Sequence, residues 1–410
     1  MTSLPTDLQD ERIQSRTGIK GAISTTVERI RGGDLGLLPV IAGLAIIWTI
    51  FQALNPFFLS SANLVNLLME SAPVGILALG IVFVLLVGEI DLSVGSVSGL
   101  SSAIMAINFV DNRWPLALAL LAAVGGGVLI GYLYGQIYNR LGIPSFVITL
   151  AGLLGLLGLQ LFVLGPKGTI NLPFDSPLVW LGQLAFVPEP VSYALVAIVA
   201  GVYFATRYLS ARNRRAAGLS ATSVKSIVIV TAAIAVGLGA AVWYLNQARG
   251  VGWMFVLFIG LVLTAQYALT RTSWGRAVFA VGGNREAARR SGINVNAMYT
   301  SVFVVCSTLA AVGGLLAAGR LASAAQSSGG GDVNLNAIAA AVIGGTSLFG
   351  GRGSAFAALL GIIVIQSISS GLTLLNLDSS IRYMVTGAVV LIAVALDAFA
   401  RRSRSSHGRG

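Results

Sequence analysis

The chain has 410 residues, of which 56% are hydrophobic and only 10% are charged. Soluble domains carry about 25% charged residues, so this composition excludes a soluble globule and indicates a polytopic membrane protein. The net charge of +11 does not by itself indicate nucleic-acid binding, because membrane proteins concentrate Lys and Arg in their cytoplasmic loops.

Residues 1–36 are polar and precede an apolar run that lacks a signal-type cleavage site, so we expect a cytoplasmic tail and a retained first span. The later apolar runs are nearly continuous and do not alternate with period two, which favours an all-α helical bundle over a β-barrel. A transmembrane domain over residues 37–399 with about 10–12 spans is predicted. The candidate spans are Leu37–Leu54, Leu64–Val87, Leu92–Val110, Pro115–Tyr138, Pro144–Gly165, Val191–Thr206, Ser226–Leu245, Gly252–Thr270, Ala297–Gly319, Ala337–Phe349, Ala355–Leu375 and Tyr383–Phe399.

The basic residues predict the orientation of these spans. With the N-terminus inside and every candidate crossing, all but five of the 26 Lys and Arg residues lie in cytoplasmic segments. This bias places both tails (residues 1–36 and 400–410) and the loop Arg271–Val295 in the cytoplasm. The longest outside segment is then Gly165–Pro190, either a packed connector or a docking surface, with a short interfacial helix near Leu178–Phe186.

Two carboxylates, Glu89 and Asp91, fall between apolar runs in the segment GEIDLSVGS at Gly88–Ser96, with no Lys or Arg nearby. A charged side chain at the bilayer centre costs about 2.5–3.5 kcal/mol. In one interpretation the segment is a cytoplasmic turn in which Asp91 or Ser93 caps the next helix. In the other it is a broken helix near a central path, where the carboxylates accept hydrogen bonds from sugar hydroxyls or hold a proton or sodium ion.

A second break is predicted at Asn334–Ser354, where a short helix of small residues runs into glycines. These glycines fit close helix packing as well as function. One interrupted segment in each half of the chain is the pattern of transporters built from repeats. Glu70, in the second apolar run, is a further candidate for the path, because a charged residue within a span is costly and indicates a functional site.

The loop Arg271–Val295 (RTSWGRAVFAVGGNREAARRSGINV) is the most polar island between two spans. Its ordered Glu-Ala-Ala element, followed by Gly292, indicates a surface for a protein partner, and an ordinary solvated basic loop is the alternative. The sequence offers no motif for nucleotide hydrolysis or other catalysis, since the phosphate-binding pattern GxxxxGK[ST] does not occur. A single cysteine, Cys306, excludes an internal disulfide. Energy would therefore come from a partner or an ion gradient.

Three segments together resemble the membrane permeases of bacterial ABC importers for monosaccharides, the ribose/xylose/galactose class. Gly88–Ser96 is similar to that family's signature after its second span, and Arg271–Gly292 (RTSWGRAVFAVGGNREAARRSG) is similar to its cytoplasmic loop. Ala337–Gly353 (AIAAAVIGGTSLFGGRG) is similar to its late glycine-rich signature. The segments appear in family order, and the resemblance runs from about Asn55 to Ala395.

The resemblance implies a type II ABC importer-like permease in the bacterial cell membrane, working as a homodimer. Its partners would be a cytoplasmic ATPase subunit that binds the ATP and an extracytoplasmic sugar-binding protein, with no cofactor on this chain and no nucleic acid. The residues implied in ATPase coupling are Arg276, Asn284, Glu286, Ala287, Ala288, Arg289, Arg290 and Gly292. Those expected to form the translocation path or its gate are Asn66, Glu70, Glu89, Asp91, Ser93, Asn334 and Asn336.

Two departures from the family pattern matter. The region Val191–Leu245 is longer than in ribose-type permeases and adds roughly two spans with the basic loop Arg207–Lys225. In addition, Glu89 stands where many relatives have Gly. Both features favour the xylose-type branch. Asn334 and Asn336 stand where the family commonly has acids, which removes the basis for a charged site there.

We therefore predict a permease that moves a neutral monosaccharide inward by alternating access. Two other functions fit the residues: an ion-coupled secondary sugar transporter without an ATPase, and a non-transporting membrane scaffold or receptor. The sequence leaves the sugar open, because selectivity in such importers lies largely in the external binding protein.

Overall fold

The computed structural model describes residues 38–378, 380, 381, 383–388 and 391. The predicted tails and most of the predicted span Tyr383–Phe399 lie outside the described residues. Among the described residues, nine helices are long and apolar enough to cross a membrane. The prediction of a polytopic all-α membrane protein is therefore confirmed.

The helices and strands follow one another along the chain with short connections. In chain order they are α1 (Leu38–Leu54), α2 (Ser61–Leu86), α3 (Val94–Ala106, continued by a π-helical turn at Ile107–Asp111), α4 (Leu116–Leu141), α5 (Ser145–Leu164), β1 (Thr169–Asn171), α6 (Pro177–Gln183), α7 (Glu189–Ala216), α8 (Val224–Asn246), α9 (Trp253–Arg271), α10 (Ser273–Gly283), α11 (Arg285–Arg290), α12 (Val295–Leu321), β2 (Ser323–Ala325), α13 (Val333–Ile343) and α14 (Phe356–Leu374).

Two boundaries differ from the sequence prediction. The predicted span Ala337–Phe349 corresponds to α13, which has 11 residues and ends at Ile343, because the glycine pair that follows leaves the helical conformation with a φ of +100° at Gly345. The first half of the predicted loop Arg207–Lys225 is helical, since α7 runs on to Ala216 through arginine and alanine, which are good helix formers.

Residues Phe186–Val251 belong to a compact unit of their own and form a helical hairpin. At its open end the amide of Val187 donates to the carbonyl of Val251 at 2.8 Å. Nearby, Asn246 Nδ2 donates to the hydroxyl of Ser192 at 3.2 Å. The lengthened region of the sequence is therefore two long helices, α7 and α8, that make their own internal contacts.

The second unit contains residues 38–185 and the described residues from 252 onward, and it is organised around α12. This helix packs against α2, α3 and α4. From Val65 to Leu86 nearly every side chain of α2 is buried, polar Ser71 included. Burial over most of its surface is expected of a helix in the interior of a bundle.

Small residues set the contact between α4 and α12. Gly127, Gly131 and Gly135 recur every four residues along one face of α4. A Cβ atom added at Gly131 would lie 2.4 Å from the carbonyl oxygen of Phe303, and the other two glycines have equally close neighbours on α12. This is the small-xxx-small packing that lets helix backbones approach each other in membranes.

Segments predicted to lie outside meet at one end of this unit. The strands β1 and β2 pair antiparallel, with Thr169 opposite Ala325. Lys167 Nζ lies 2.8 Å from a carboxylate oxygen of Asp111. The predicted interfacial helix near Leu178–Phe186 is α6, which begins at Pro177 after the capping hydroxyl of Ser176 and ends at Gln183.

Replacing Gly131 by Ala is expected to destabilise the protein, whereas Gly125→Ala on the same helix is not. Overpacking costs about 1–3 kcal/mol, which exceeds the gain of about 0.5–1 kcal/mol from Ala over Gly in a helix. Gly125 has open space around it and keeps only the gain. Thermal unfolding of the purified variants in detergent measures both effects. Equal midpoints for Gly131→Ala and Gly125→Ala would contradict the close packing of α4 on α12.

Candidate functional site

The helical path of the chain is interrupted between Leu86 and Val94, as both interpretations of Gly88–Ser96 predict. Asp91 lies in this break and is fully buried. Its Oδ1 atom accepts hydrogen bonds from the backbone amide of Ser93 at 2.8 Å and from the Ser93 hydroxyl at 2.7 Å. Its Oδ2 atom faces the thiol of Cys306 on α12, with 3.7 Å between oxygen and sulfur.

The capping interpretation is wrong for Ser93. Ser93 occupies the N-cap position of α3, but its side chain makes no capping bond to that helix and donates to Asp91 instead. A fully buried Asp91 also does not fit a solvated turn. Within the break Asp91 and Ser93 are therefore buried, whereas Glu89 is half-buried.

Side chains from three other helices hold the break. Glu89, the first carboxylate of the break, accepts a hydrogen bond at Oε1 from the Tyr138 hydroxyl of α4 at 2.5 Å. The amide of Ile90 donates to the hydroxyl of Ser145 at the start of α5, at 3.3 Å. Asn334 Nδ2, on α13, donates to the carbonyl of Leu92 at 2.6 Å. The sequence did not identify Tyr138 or Ser145 as site residues, because hydroxyl groups in apolar helices carry no local signal.

The two interrupted segments touch each other. The hydrogen bond from Asn334 to Leu92 joins them, and a Cβ atom at Gly95 would lie 2.3 Å from the carbonyl oxygen of Gly329. Asn336 is not part of this contact, since its amide donates to Asp332 Oδ2 at 3.3 Å. Of the predicted gate residues, Glu89, Asp91, Ser93 and Asn334 therefore form one cluster, and Asn336 lies apart from it.

The polar loop Arg271–Val295 forms two short helices, α10 and α11, with capped starts. Asn284 Oδ1 accepts from the amide of Ala287 at 2.9 Å at the start of α11. Gly292, just beyond the end of α11, has a φ of +85°, which favours glycine. Seven of the eight predicted coupling residues are exposed, and Ala288, 3% exposed, anchors α11 to the core. We call these eight residues the coupling surface.

Glycines bring the three family-like segments together at one junction. The amide of Gly351 donates to the carbonyl of Leu86 at 2.9 Å. A Cβ atom at Gly282 would lie 1.7 Å from that same carbonyl oxygen, and one at Gly350 would lie 2.9 Å from the amide nitrogen of Gly88. The end of α10 therefore contacts the end of α2, where the break begins, and the glycine-rich loop after α13. We call this contact the glycine junction.

Asn66 and Glu70 form a second polar cluster, separate from the break. Glu70 Oε1 lies 3.8 Å from Arg320 Nη2, near the end of α12. Glu70 Oε2 accepts from Gln366 Nε2 of α14 at 2.7 Å, and Asn66 Oδ1 lies 3.5 Å from Arg320 Nη2. Sequence reasoning assigned Arg320 to an outside loop and so missed that its side chain reaches back to α2.

Comparisons with known proteins agree on one family. The family model described as "Branched-chain amino acid transport system / permease component" matches residues 63–394. The xylose transport system permease protein of Escherichia coli (strain K12) is 35% identical over 90% of this chain and 93% of its own length. The ribose import permease protein of Haemophilus influenzae is 30% identical, covering 86% of this chain and 90% of its own. The fructose import permease protein of Rhizobium meliloti is 31% identical, covering 84% and 80%. No solved structure matches the chain.

We expect Gly282→Ala to disturb the glycine junction and Gly283→Ala to leave it intact. The added methyl group at Gly282 would overlap the carbonyl oxygen of Leu86, whereas Gly283 has nothing within 4 Å. Displacing α10 from α2 should loosen the coupling surface. Limited digestion with trypsin, which cuts after Arg289 and Arg290, should then proceed faster for Gly282→Ala than for the wild-type protein. Equal digestion rates for the Gly282 and Gly283 variants would contradict the junction.

Proposed function

This chain belongs to the permease family described as "Branched-chain amino acid transport system / permease component", and on that premise we propose that it is the membrane-spanning subunit of an importer that moves a monosaccharide into the cytoplasm. ATP is hydrolysed on a partner subunit. Two copies of the chain form the permease, and an extracytoplasmic binding protein delivers the sugar. The permease lies in the bacterial cell membrane with the coupling surface in the cytoplasm.

The relatives support a sugar as the substrate. Permeases named for xylose, ribose and fructose each cover most of this chain, although the family description names branched-chain amino acids. We favour a xylose-like pentose, because the xylose permease matches the chain over 93% of its own length at 35% identity, and because the lengthened region at α7 and α8 is the feature that pointed to the xylose-type branch.

The coupling surface is the observation that carries the proposal. An exposed short helix, α11, presents Glu286 in its first turn and Arg289 and Arg290 in its last turn. Its N-terminus is capped, and the preceding helix contacts the start of the break through the glycine junction. A partner that binds this surface would move α10 and α11 together as a rigid body. The end of α10 contacts the interrupted segments of the bundle.

In this proposal Glu89, Asp91, Ser93 and Asn334 act as the gate. They join the two interrupted segments and are mostly enclosed, which suits a closed state of the path. The glycine junction connects the helix before α11 to the start of the break, so closure of the ATPase would reach the gate through these backbone contacts.

One observation favours the ion-coupled transporter as a second candidate. Asp91 is fully buried, and in the part of the chain that the structure describes no Lys or Arg lies within ion-pair distance of it. Such a carboxylate is the kind of group that holds a proton or a cation in transporters. This candidate requires transport by the chain without any ATPase.

Reconstitution separates the two candidates. Proteoliposomes that contain the permease, its ATPase and its binding protein should take up xylose only when ATP is supplied to the ATPase side. The permease alone should not accumulate xylose under a proton or sodium gradient. Accumulation by the chain alone, driven by a gradient, would establish the ion-coupled transporter in place of our proposal.

Glu286→Arg should abolish the stimulation of the partner's ATP hydrolysis by sugar-loaded binding protein. The change reverses the charge at the start of α11, where an acidic side chain is favoured by the helix dipole and exposed to the partner. Glu189→Arg is the matched control, because Glu189 is also an exposed first-turn glutamate but lies on α7, on the predicted outer side. Full stimulation by an inserted Glu286→Arg variant would remove α11 from the coupling role.

A further inference from the structure

A polar stripe runs along one face of α2. Asn63, Asn66 and Glu70 are spaced by three and four residues, which places them on the same side of a helix. A second stripe faces it from α14, where Gln366 and Ser370 are one turn apart. Two interhelical hydrogen bonds join the stripes, from Gln366 Nε2 to Glu70 Oε2 at 2.7 Å and from the Ser370 hydroxyl to Asn63 Oδ1 at 3.0 Å.

Glu70 lies well inside its helix and yet is open. It is nine residues beyond Ser61, the first residue of α2, which corresponds to about 14 Å along the helix axis. The hydrocarbon layer is about 30 Å thick, so a span that enters the layer at Ser61 carries Glu70 inside it. The Glu70 side chain is 49% exposed on the described chain, in contrast to Asp91 in the break, which is fully buried.

Lipid is an unsuitable neighbour for this face, because a charged side chain inside the hydrocarbon layer is unfavourable even on the most lenient insertion scale. Arg320, near the end of α12, offsets the charge of Glu70 but lies 3.8 Å from it, longer than a well-formed hydrogen bond. An exposed cluster of this kind faces water or the substrate that passes through it.

The chemistry of the cluster matches a polyhydroxylated ligand. A carboxylate offers about four acceptor positions and a guanidinium group five donors, and the amides of Gln366 and Asn63 add both kinds. Each sugar hydroxyl donates one hydrogen bond and accepts others, so a mixed set of donors and acceptors with no net charge suits a neutral sugar. The pairing of Glu70 with Arg320 leaves neither charge uncompensated when the ligand is absent.

We propose that Glu70, Arg320 and Gln366 form a binding site for sugar hydroxyl groups in the translocation path, at the end of the bundle where α2 begins and α12 ends. Glu70 accepts hydrogen bonds from the ligand, and Arg320 and Gln366 donate to it. The inference rests on the proposed function and deepens it, because it locates where the sugar is held once it has left the binding protein.

A cysteine placed beside the site tests both its access to water and its occupancy. In the complete transporter, Ser370→Cys changes only oxygen to sulfur on the stripe of α14. The native Cys306 is 0% exposed and provides an internal unreactive thiol. Leu154→Cys is the matched control, because Leu154 is 64% exposed in the middle of α5, a helix that contributes no residue to the proposed site. If Ser370→Cys inserts poorly, Thr373→Cys, exposed on the same face, replaces it.

A charged, membrane-impermeant thiol reagent should label Ser370→Cys and not Leu154→Cys, since thiolates and charged reagents require water. Xylose at ten times its half-saturating concentration should slow the labelling about tenfold, because a single site is then occupied in all but about one molecule in eleven. Adding Glu70→Gln to the Ser370→Cys chain should keep the labelling and remove most of the protection. Leucine should not protect.

Three results would overturn the inference. An unlabelled Ser370→Cys would mean that lipid or the second copy of the chain covers the face. Labelling without protection by xylose would mean a water-filled surface without a sugar site, and protection by leucine would point to an amino acid ligand. ATP-driven xylose uptake by the wild-type transporter is measured in the same preparation. If uptake is present while the labelling test fails, the proposed site is wrong and the proposed function remains.

Discussion

A backbone that leaves the helix inside a membrane must find its hydrogen-bond partners within the protein, and this constraint shapes the interior of the permease. Between Leu86 and Val94 the backbone does not continue the hydrogen-bond pattern of a helix. Side chains take their place: the Ser145 hydroxyl accepts from the amide of Ile90, the Asp91 carboxylate accepts from the amide of Ser93, and the Asn334 amide donates to the carbonyl of Leu92. Because Ser145 and Asn334 come from separate helices, these bonds form only when α5 and α13 are packed around the break.

The same constraint explains why glycine is abundant where the three family-like segments meet. Side-chain anchors alone cannot bring three chain segments within hydrogen-bond distance of one another's backbone. At Gly282, Gly350 and Gly351 the absence of a Cβ atom allows that approach. The junction that results consists of direct backbone contacts, which suit the transmission of a displacement from an exposed helix to the proposed gate.

The polar groups of the bundle fall into two clusters with different surroundings. Around Asp91 the groups are buried or half-buried, and Asp91 itself is held by Ser93 and faces Cys306. Around Glu70 the groups are open, and their contacts run between helices α2, α12 and α14. A largely buried cluster beyond the end of α2 and an open cluster in its first half are what a path with a closed gate at one end and an accessible site at the other requires.

Much of this protein follows from the sequence alone, because composition, helical periodicity and capping residues act over a few neighbouring positions. The apolar runs determined the class, and Asn284 and Gly292 determined where α11 starts and ends. The length of α7 was misjudged, since a charged helix end resembles a loop in composition. Only the tertiary structure decided that Asp91 is buried, that Asn336 lies apart from the gate and that Arg320 reaches Glu70 across 250 positions of the chain. Such contacts depend on how the helices pack around α12, and no local pattern in the chain encodes which distant side chain will lie opposite.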